Sequence, residues 1–434
     1  MSDPGTPGRD GRDEVLQTFG TQIYGRAPEV DVGLSWSVLE EGRTEDGRHR
    51  RQLALTFTGP RDSATMMLLV YLPSGSTAQA AGSSPVMQPV PAFLGLNFQG
   101  NHACSTDPGV IRAGTDLPES RTGPVFYDEL GANYPVPPPR GNNAAAWPAH
   151  LANERGYAVI TAHYLQTGPD HPDIFHRGLF PIFGHASLRD RPGDAWGAIS
   201  MWAWVLRRIL DGLADGLVPE VDPQQVWAMG HSRLGKAALW AAAQDERFAG
   251  VISNNSGRMG AALTRPVGED LPTMVRVFPH WFAPNFLRRV EAGEPVPVDQ
   301  DRLLACLAPR PLYVASASED HHADPEGEFA ALRAAAPAWQ PGADAARRAT
   351  TAAGRALDGP VPAAAGSERD GRRTPPGDTP SAAFPEPGEG LVFPGLPLGY
   401  HLRAGEHAVH PFDWERWLDF RDDLARPTGP GHGG

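Results

Sequence analysis

Gly230-His231-Ser232-Arg233-Leu234-Gly235-Lys236 is the stretch that decides how this chain is read. It follows an apolar run ending Val226-Trp227-Ala228-Met229 and precedes an Ala- and Leu-rich run through Ala243. The first run has the character of a buried strand and the second that of a helix, so the residues between them make a tight turn. A serine on such a turn presents its hydroxyl, and the helix N-terminus behind it favours developing negative charge. Ser232 is therefore the candidate nucleophile. A hydroxyl is a poor nucleophile at its free pKa, so the rest of the chain must supply a base and an acid.

Working outward, residues 53–58 alternate with period two, while 65–72 and 90–98 are more continuously apolar, as buried strands are. Residues 157–161 follow as a strand. Residues 194–213 read as a long helix, with Asp194 as N-cap and an apolar stripe of Trp202, Leu206, Ile209, Leu210 and Leu213. Strands at 250–253 and 311–315 continue the alternation, and a last helix spans about 411–425. Hairpin-like strands followed by β-α-β-α order predict an α/β-hydrolase fold: a three-layer αβα sandwich around a mostly parallel, twisted sheet. Residues 1–30 are expected to be a flexible arm and 31–427 a single catalytic domain. An Ala/Pro-rich stretch at about 338–390 has no sustained apolar period and reads as a disordered insertion.

The 434 residues are 41% hydrophobic and 21% charged, enough for one large core. The net charge of -13 argues against a nucleic-acid partner and does not attract an anionic membrane. No apolar run approaches the roughly 20 residues that a membrane span needs. The first 13 residues lack an apolar signal core, so a cytoplasmic location is expected, with secretion or a periplasmic location open if a leader is missing. Cys104 and Cys306, the two cysteines, are expected to be free thiols. A monomer with no cofactor is expected.

Three histidines precede the last helix: His401, His407 and His410. His407 follows Gly405 and lies in the loop, whereas His410 sits where the helix cap belongs, so His407 is the preferred base. The acid should follow a strand between serine and histidine in chain order, which points to Asp320 or Glu319 at the end of 311–317. His321, His322 and Asp324 raise the alternative of a metal site, but there is no His-Glu-x-x-His and no clustered Cys/His set. Arg233 and Lys236 stand in the first helix turn, where cations oppose the helix dipole. That position suggests use: binding a hydroxyl-rich or anionic substrate, or stabilising an oxyanion.

The chain resembles the glucuronoyl esterases, a family of carbohydrate esterases, and particularly their bacterial members. GHSRLGK places its second glycine three residues after the serine, where ordinary esterases have it two after. The likeness continues through ALWAAAQDERFAGVISNNSG, FPHWFAPNF, PVDQDRLLACLAPRPLYVASASED, ADPEGEF, GYHLRAGEHAVHPFDWERWLDF and, upstream, LGLNFQGNH. It covers roughly residues 50–425 apart from the insertion. The resemblance implies Ser232 as nucleophile, His407 as base and Arg233 at the oxyanion. It implies Lys236 and Glu269 against the uronate hydroxyls, with Trp281 and His322 also at the substrate. The family places its acid in one of two positions. One is Asn255 here, a neutral amide, so the resemblance selects the other, Asp320. His322 stands where bacterial relatives often carry Trp, and Ser256-Gly257-Arg258-Met259-Gly260 brings an Arg and a Met close to the site.

The implied activity is hydrolysis of glucuronate or 4-O-methyl-glucuronate esters through an acyl-enzyme, as in lignin–carbohydrate links. Two alternatives stand beside it: an acetyl esterase or general carboxylesterase, and a non-catalytic carbohydrate-binding relative. The latter would be expected to lack the serine or histidine, and both are present.

Overall fold

A computed structural model describes residues 9–75, 88–124, 138–183, 191–265, 267–340 and 383–426. Ten strands form one sheet: β1 (Gly33–Arg43), β2 (His49–Thr58), β3 (Ser63–Leu72), β4 (Val90–Asn97), β5 (Ala158–His163), β6 (Val221–His231), β7 (Gly250–Asn254), β8 (Leu312–Ala317), β9 (Gly390–Val392) and β10 (Leu398–Arg403). Their order across the sheet is β1-β2-β3-β5-β4-β6-β7-β8-β10-β9. The run β5-β4-β6-β7-β8-β10 is parallel, and antiparallel strands flank it on both sides.

Successive residues of the central strands point to opposite faces, and both faces are buried. Phe93, Trp227, Ile252 and Tyr313 enter one apolar layer with Trp414, Trp417 and Phe420 of the helix α5 (Pro411–Ala425). Their neighbours Leu94, Ala228, Val251 and Val314 enter the other. That layer is covered by α2 (Ala198–Ala214), α3 (Arg233–Gln244) and α4 (Pro325–Ala335). The three-layer αβα expectation therefore holds. The stripe of α2 is buried at all five expected positions. Cys104 and Cys306 are buried free thiols. Among the described residues no helix is long and apolar enough to cross a membrane.

Three expectations need correction. Residues 1–30 are not a flexible arm throughout: Arg9–Thr18 is helix α1, and Phe19, Ile23 and Tyr24 are fully buried. Arg12 of α1 donates to the carbonyls of Ala243 and Cys306. Asp194 does not cap α2, which starts at Ala198. The preceding residues instead pair with the N-terminal segment, Arg26 N–H donating to Asp194 O and Gly197 N–H to Tyr24 O. The edges of the stretch 338–390, expected to be disordered, are ordered. The Trp339 indole donates to Arg310 O, and Gly388 N–H to Leu402 O. Its centre, 341–382, lies outside the described residues.

Candidate active site

The parallel strands deliver the site residues from one edge, the carboxyl ends, where open α/β sheets bind ligands. Ser232 follows β6, Asn255 follows β7, Asp320 lies past β8, and His407 lies past β10. Ser232 has φ 56° and ψ -131°, a conformation that residues with a Cβ rarely adopt. The motif's glycines make this bend possible. A Cβ on Gly230 would lie 2.1 Å from Leu234 O, and one on Gly235 would lie 2.9 Å from the Ser256 Cβ. The spacing of Gly235 therefore reflects close approach of α3 to the turn after β7.

His407 Nδ1 lies 2.5 Å from Asp320 Oδ2, and the same oxygen accepts from Asn255 Nδ2 at 2.7 Å. Asp320 Oδ1 accepts from Ala323 N–H at 3.2 Å. Burial would raise the Asp320 carboxyl, but His407, Asn255 and that N–H outweigh it and hold the group below the usual carboxylate range. Asp320 is nearly buried, whereas the His407 ring is 43% exposed. Ser232 and His407 line one cavity of about 430 Å³. No hydrogen bond joins the Ser232 hydroxyl to Nε2 of His407. An unliganded triad commonly tightens only around substrate. His401 is elsewhere: fully buried, with its nitrogens on Tyr313 OH and Asp413. His410 takes the cap position of α5, its N–H donating to Asp413 at 2.7 Å.

Arg233 begins α3, and its guanidinium pairs with buried Asp170 and lies 4.7 Å from the Trp281 ring centroid. Asp170 also receives His280 Nε2 at 2.7 Å and Trp281 Nε1 at 2.8 Å. Burial works against the Asp170 charge, but Arg233, His280 and Trp281 hold its pKa well below the ordinary value. Trp281 is 3% exposed and stacked on Phe278 at 3.9 Å. It meets the site through Arg233, not as an open ring. Lys236 is buried as well and donates to Ser256 O at 2.5 Å and Arg258 O at 2.7 Å. Two of its three protons are thus placed. Burial pushes its ammonium down to about 8, opposed by Glu269 and Glu328. Glu269 carries His322 Nε2 at 3.3 Å on an exposed ring.

Sequence reasoning missed three participants. Asp170 lies in the loop after β5, and the only signal for it was its place past the carboxyl end of a parallel strand. His231 packs its ring 4.4 Å from that of His407, with Nδ1 2.6 Å from Asn254 Oδ1. Burial and the neighbouring His407 push it down to about 3, so it stays neutral. Glu328 of α4 is fully buried under the turn after β7, accepting from Ser316 Oγ at 2.6 Å and Gly257 N–H at 2.9 Å. Burial pushes it up to about 7. The metal alternative finds other uses for its residues. Asp324 caps α4 and pairs with Arg265, and His322 faces Glu269.

The sequence profile of the family described as "Glucuronyl esterase, fungi" matches residues 187–341. Carbohydrate esterase MZ0003, from an unknown prokaryotic organism, is 34% identical over 415 residues, 95% of this chain and 83% of that protein. A glucuronoyl esterase from Solibacter usitatus superposes with a TM-score of 0.73 at 31% identity, covering 95% of this chain and 92% of the other. A promiscuous CE15 esterase from a marine bacterial metagenome gives 0.69 at 29% identity, covering 96% and 95%. With a nucleophile elbow, a histidine–carboxylate pair and these relatives, the chain belongs to the glucuronoyl esterase family of carbohydrate esterases.

Proposed function

We propose that the protein hydrolyses esters of glucuronate or 4-O-methyl-glucuronate through an acyl-enzyme on Ser232. The observation that carries this reading is the convergence of Ser232 and His407 on one cavity, with His407 Nδ1 2.5 Å from Asp320. Ser232 Oγ attacks the ester carbonyl while His407 Nε2 takes its proton. Asp320 fixes the ring through Nδ1 and stabilises the imidazolium. The oxyanion is met by the N–H of Arg233 at the start of α3 and by its guanidinium, which Asp170 and Trp281 hold in place. The alcohol leaves with the proton from His407, and water, deprotonated by the same nitrogen, releases the uronate. Lys236 and Glu269 hold the sugar hydroxyls, with Trp281 behind Arg233 and His322 at the rim.

The test compares methyl glucuronate with p-nitrophenyl acetate and acetyl-xylan, using Ser232→Ala as control. The uronate ester should be preferred, and the variant should lose at least about 10⁴-fold in kcat. An unchanged rate in the variant overturns the proposal. A preference for the acetyl esters moves the activity to the acetyl-esterase alternative.

A further inference from the structure

The turn after β7 serves two parts of the site at once. Asn255 Nδ2 reaches Asp320, while Ser256 O and Arg258 O hold Lys236. Its backbone is not one that these residues adopt freely. Asn255 has φ 44°, Gly257 62° and Met259 56°, and for Asn255 and Met259 the left-handed region is unfavourable. Such a turn keeps its shape only where its surroundings impose it. Two fully buried side chains from distant elements do so. Glu328 Oε1 accepts from Gly257 N–H at 2.9 Å and from Ser256 Oγ at 3.3 Å, and Ser316 Oγ donates to Oε2 at 2.6 Å. At the far end of the turn, Tyr24 OH donates to Met259 O at 2.7 Å. Neither side chain lines the cavity of Ser232 and His407.

We propose that Glu328 is a positioning residue for substrate binding: from below the turn it fixes the two carbonyls that hold Lys236, and its charge keeps that ammonium cationic. This rests on the uronate reading, which sets Lys236 against the sugar hydroxyls. Geometry supplies the first half of the role. Without the Glu328 carboxyl, the buried Gly257 N–H loses its acceptor and the turn must relax, carrying the acceptors of Lys236 with it. Charge supplies the second half. Glu269, Glu328 and Asp320 favour the Lys236 ammonium, and Arg233 opposes it. Glu328 itself faces Lys236, Asp320 and Tyr400. Burial already pushes Lys236 down to about 8, so an ionised Glu328 holds a proton there that burial would otherwise expel.

The experiment measures kcat and KM for methyl glucuronate across pH, together with the rate at which a small fluorophosphonate labels Ser232. Labelling needs the catalytic centre but no sugar contact. Glu328→Ala should raise KM at least about fivefold, with kcat reduced less than about tenfold and labelling within about threefold of wild type. Glu328→Gln keeps an acceptor for Gly257 N–H and a donor for Ser316 Oγ, so its KM should return to within about twofold of wild type at about pH 6. It carries no charge, so its KM should begin to rise at a lower pH than that of wild type, whose rise comes as Lys236 titrates near about 8. That displaced profile decides the outcome if Glu328→Ala does not fold. An unchanged KM in Glu328→Ala overturns the inference, and so do coincident pH profiles for wild type and Glu328→Gln. Labelling that falls as steeply as kcat/KM also overturns it, because the whole centre has then collapsed. Wild type that takes the label but leaves methyl glucuronate intact overturns the uronate reading itself, before any variant is compared.

Discussion

His401 and His407 stand six residues apart in the chain, each paired with an aspartate, and the two pairs are built for opposite ends. His401 is fully buried, with both ring nitrogens satisfied, by Tyr313 and by Asp413. Asp413 in turn receives the His410 N–H and so fixes the start of α5. His407 has one nitrogen on Asp320, and the other makes no hydrogen bond among the described residues. Its ring is 43% exposed and lines the cavity with Ser232. The same chemical pair holds a fold together when saturated. It can move a proton when one nitrogen is left for substrate.

This contrast can be broken by removing each imidazole in turn. His407→Ala should lower kcat for uronate esters by about 10⁴-fold or more, with little change in melting temperature. His401→Ala should do the reverse. It leaves one oxygen of the buried Asp413 carboxylate without its partner, while Arg403 and the His410 N–H hold the other, and should destabilise the fold by about 1–3 kcal/mol in denaturant unfolding, while molecules that remain folded keep their kcat. A variant pair in which both effects fall on one residue would erase the distinction.

Two smaller effects sharpen the contrast at its edges. Glu328 is a buried carboxyl with no cation in direct contact among the described residues, and burial raises it in the folded state to about 7. A raised folded pKa means that the stability it contributes is present below its unfolded value and is lost as pH rises through about 7. Glu328→Gln cannot titrate. Its unfolding free energy should therefore gain on wild type by on the order of 1–3 kcal/mol between about pH 5 and about pH 8. A gap independent of pH would contradict this. Asn255→Ala should cost least, under about tenfold in kcat, because Asp320 keeps His407 and the Ala323 N–H. A loss as large as that of His407→Ala would make the amide an essential part of the centre.

The elbow, the histidine loop and the strand-end carboxylate were legible because each depends on local pattern. A glycine-framed serine lies between a strand and a helix, and chain order does the rest. Between His407 and His410 the sequence also favoured the right one for the cap. β1 was not seen, since it is an edge strand with Glu40 and Glu41 and no buried residue along its length. Residues 9–24 were misjudged because their helix gains its partners from far along the chain, which no local window contains. Asp170 and Glu328 were illegible for the same reason: their meaning lies in contacts 63 and 71 residues away.

That distance matters during synthesis. Arg12 bonds to carbonyls 231 and 294 residues downstream, at the end of the helix that starts behind Ser232 and at Cys306. The ribosome releases α1 long before either acceptor exists, so this helix docks late. Contacts of such separation slow folding. A nascent chain halted before residue 306 should leave α1 open to protease, and completion of that stretch should close it.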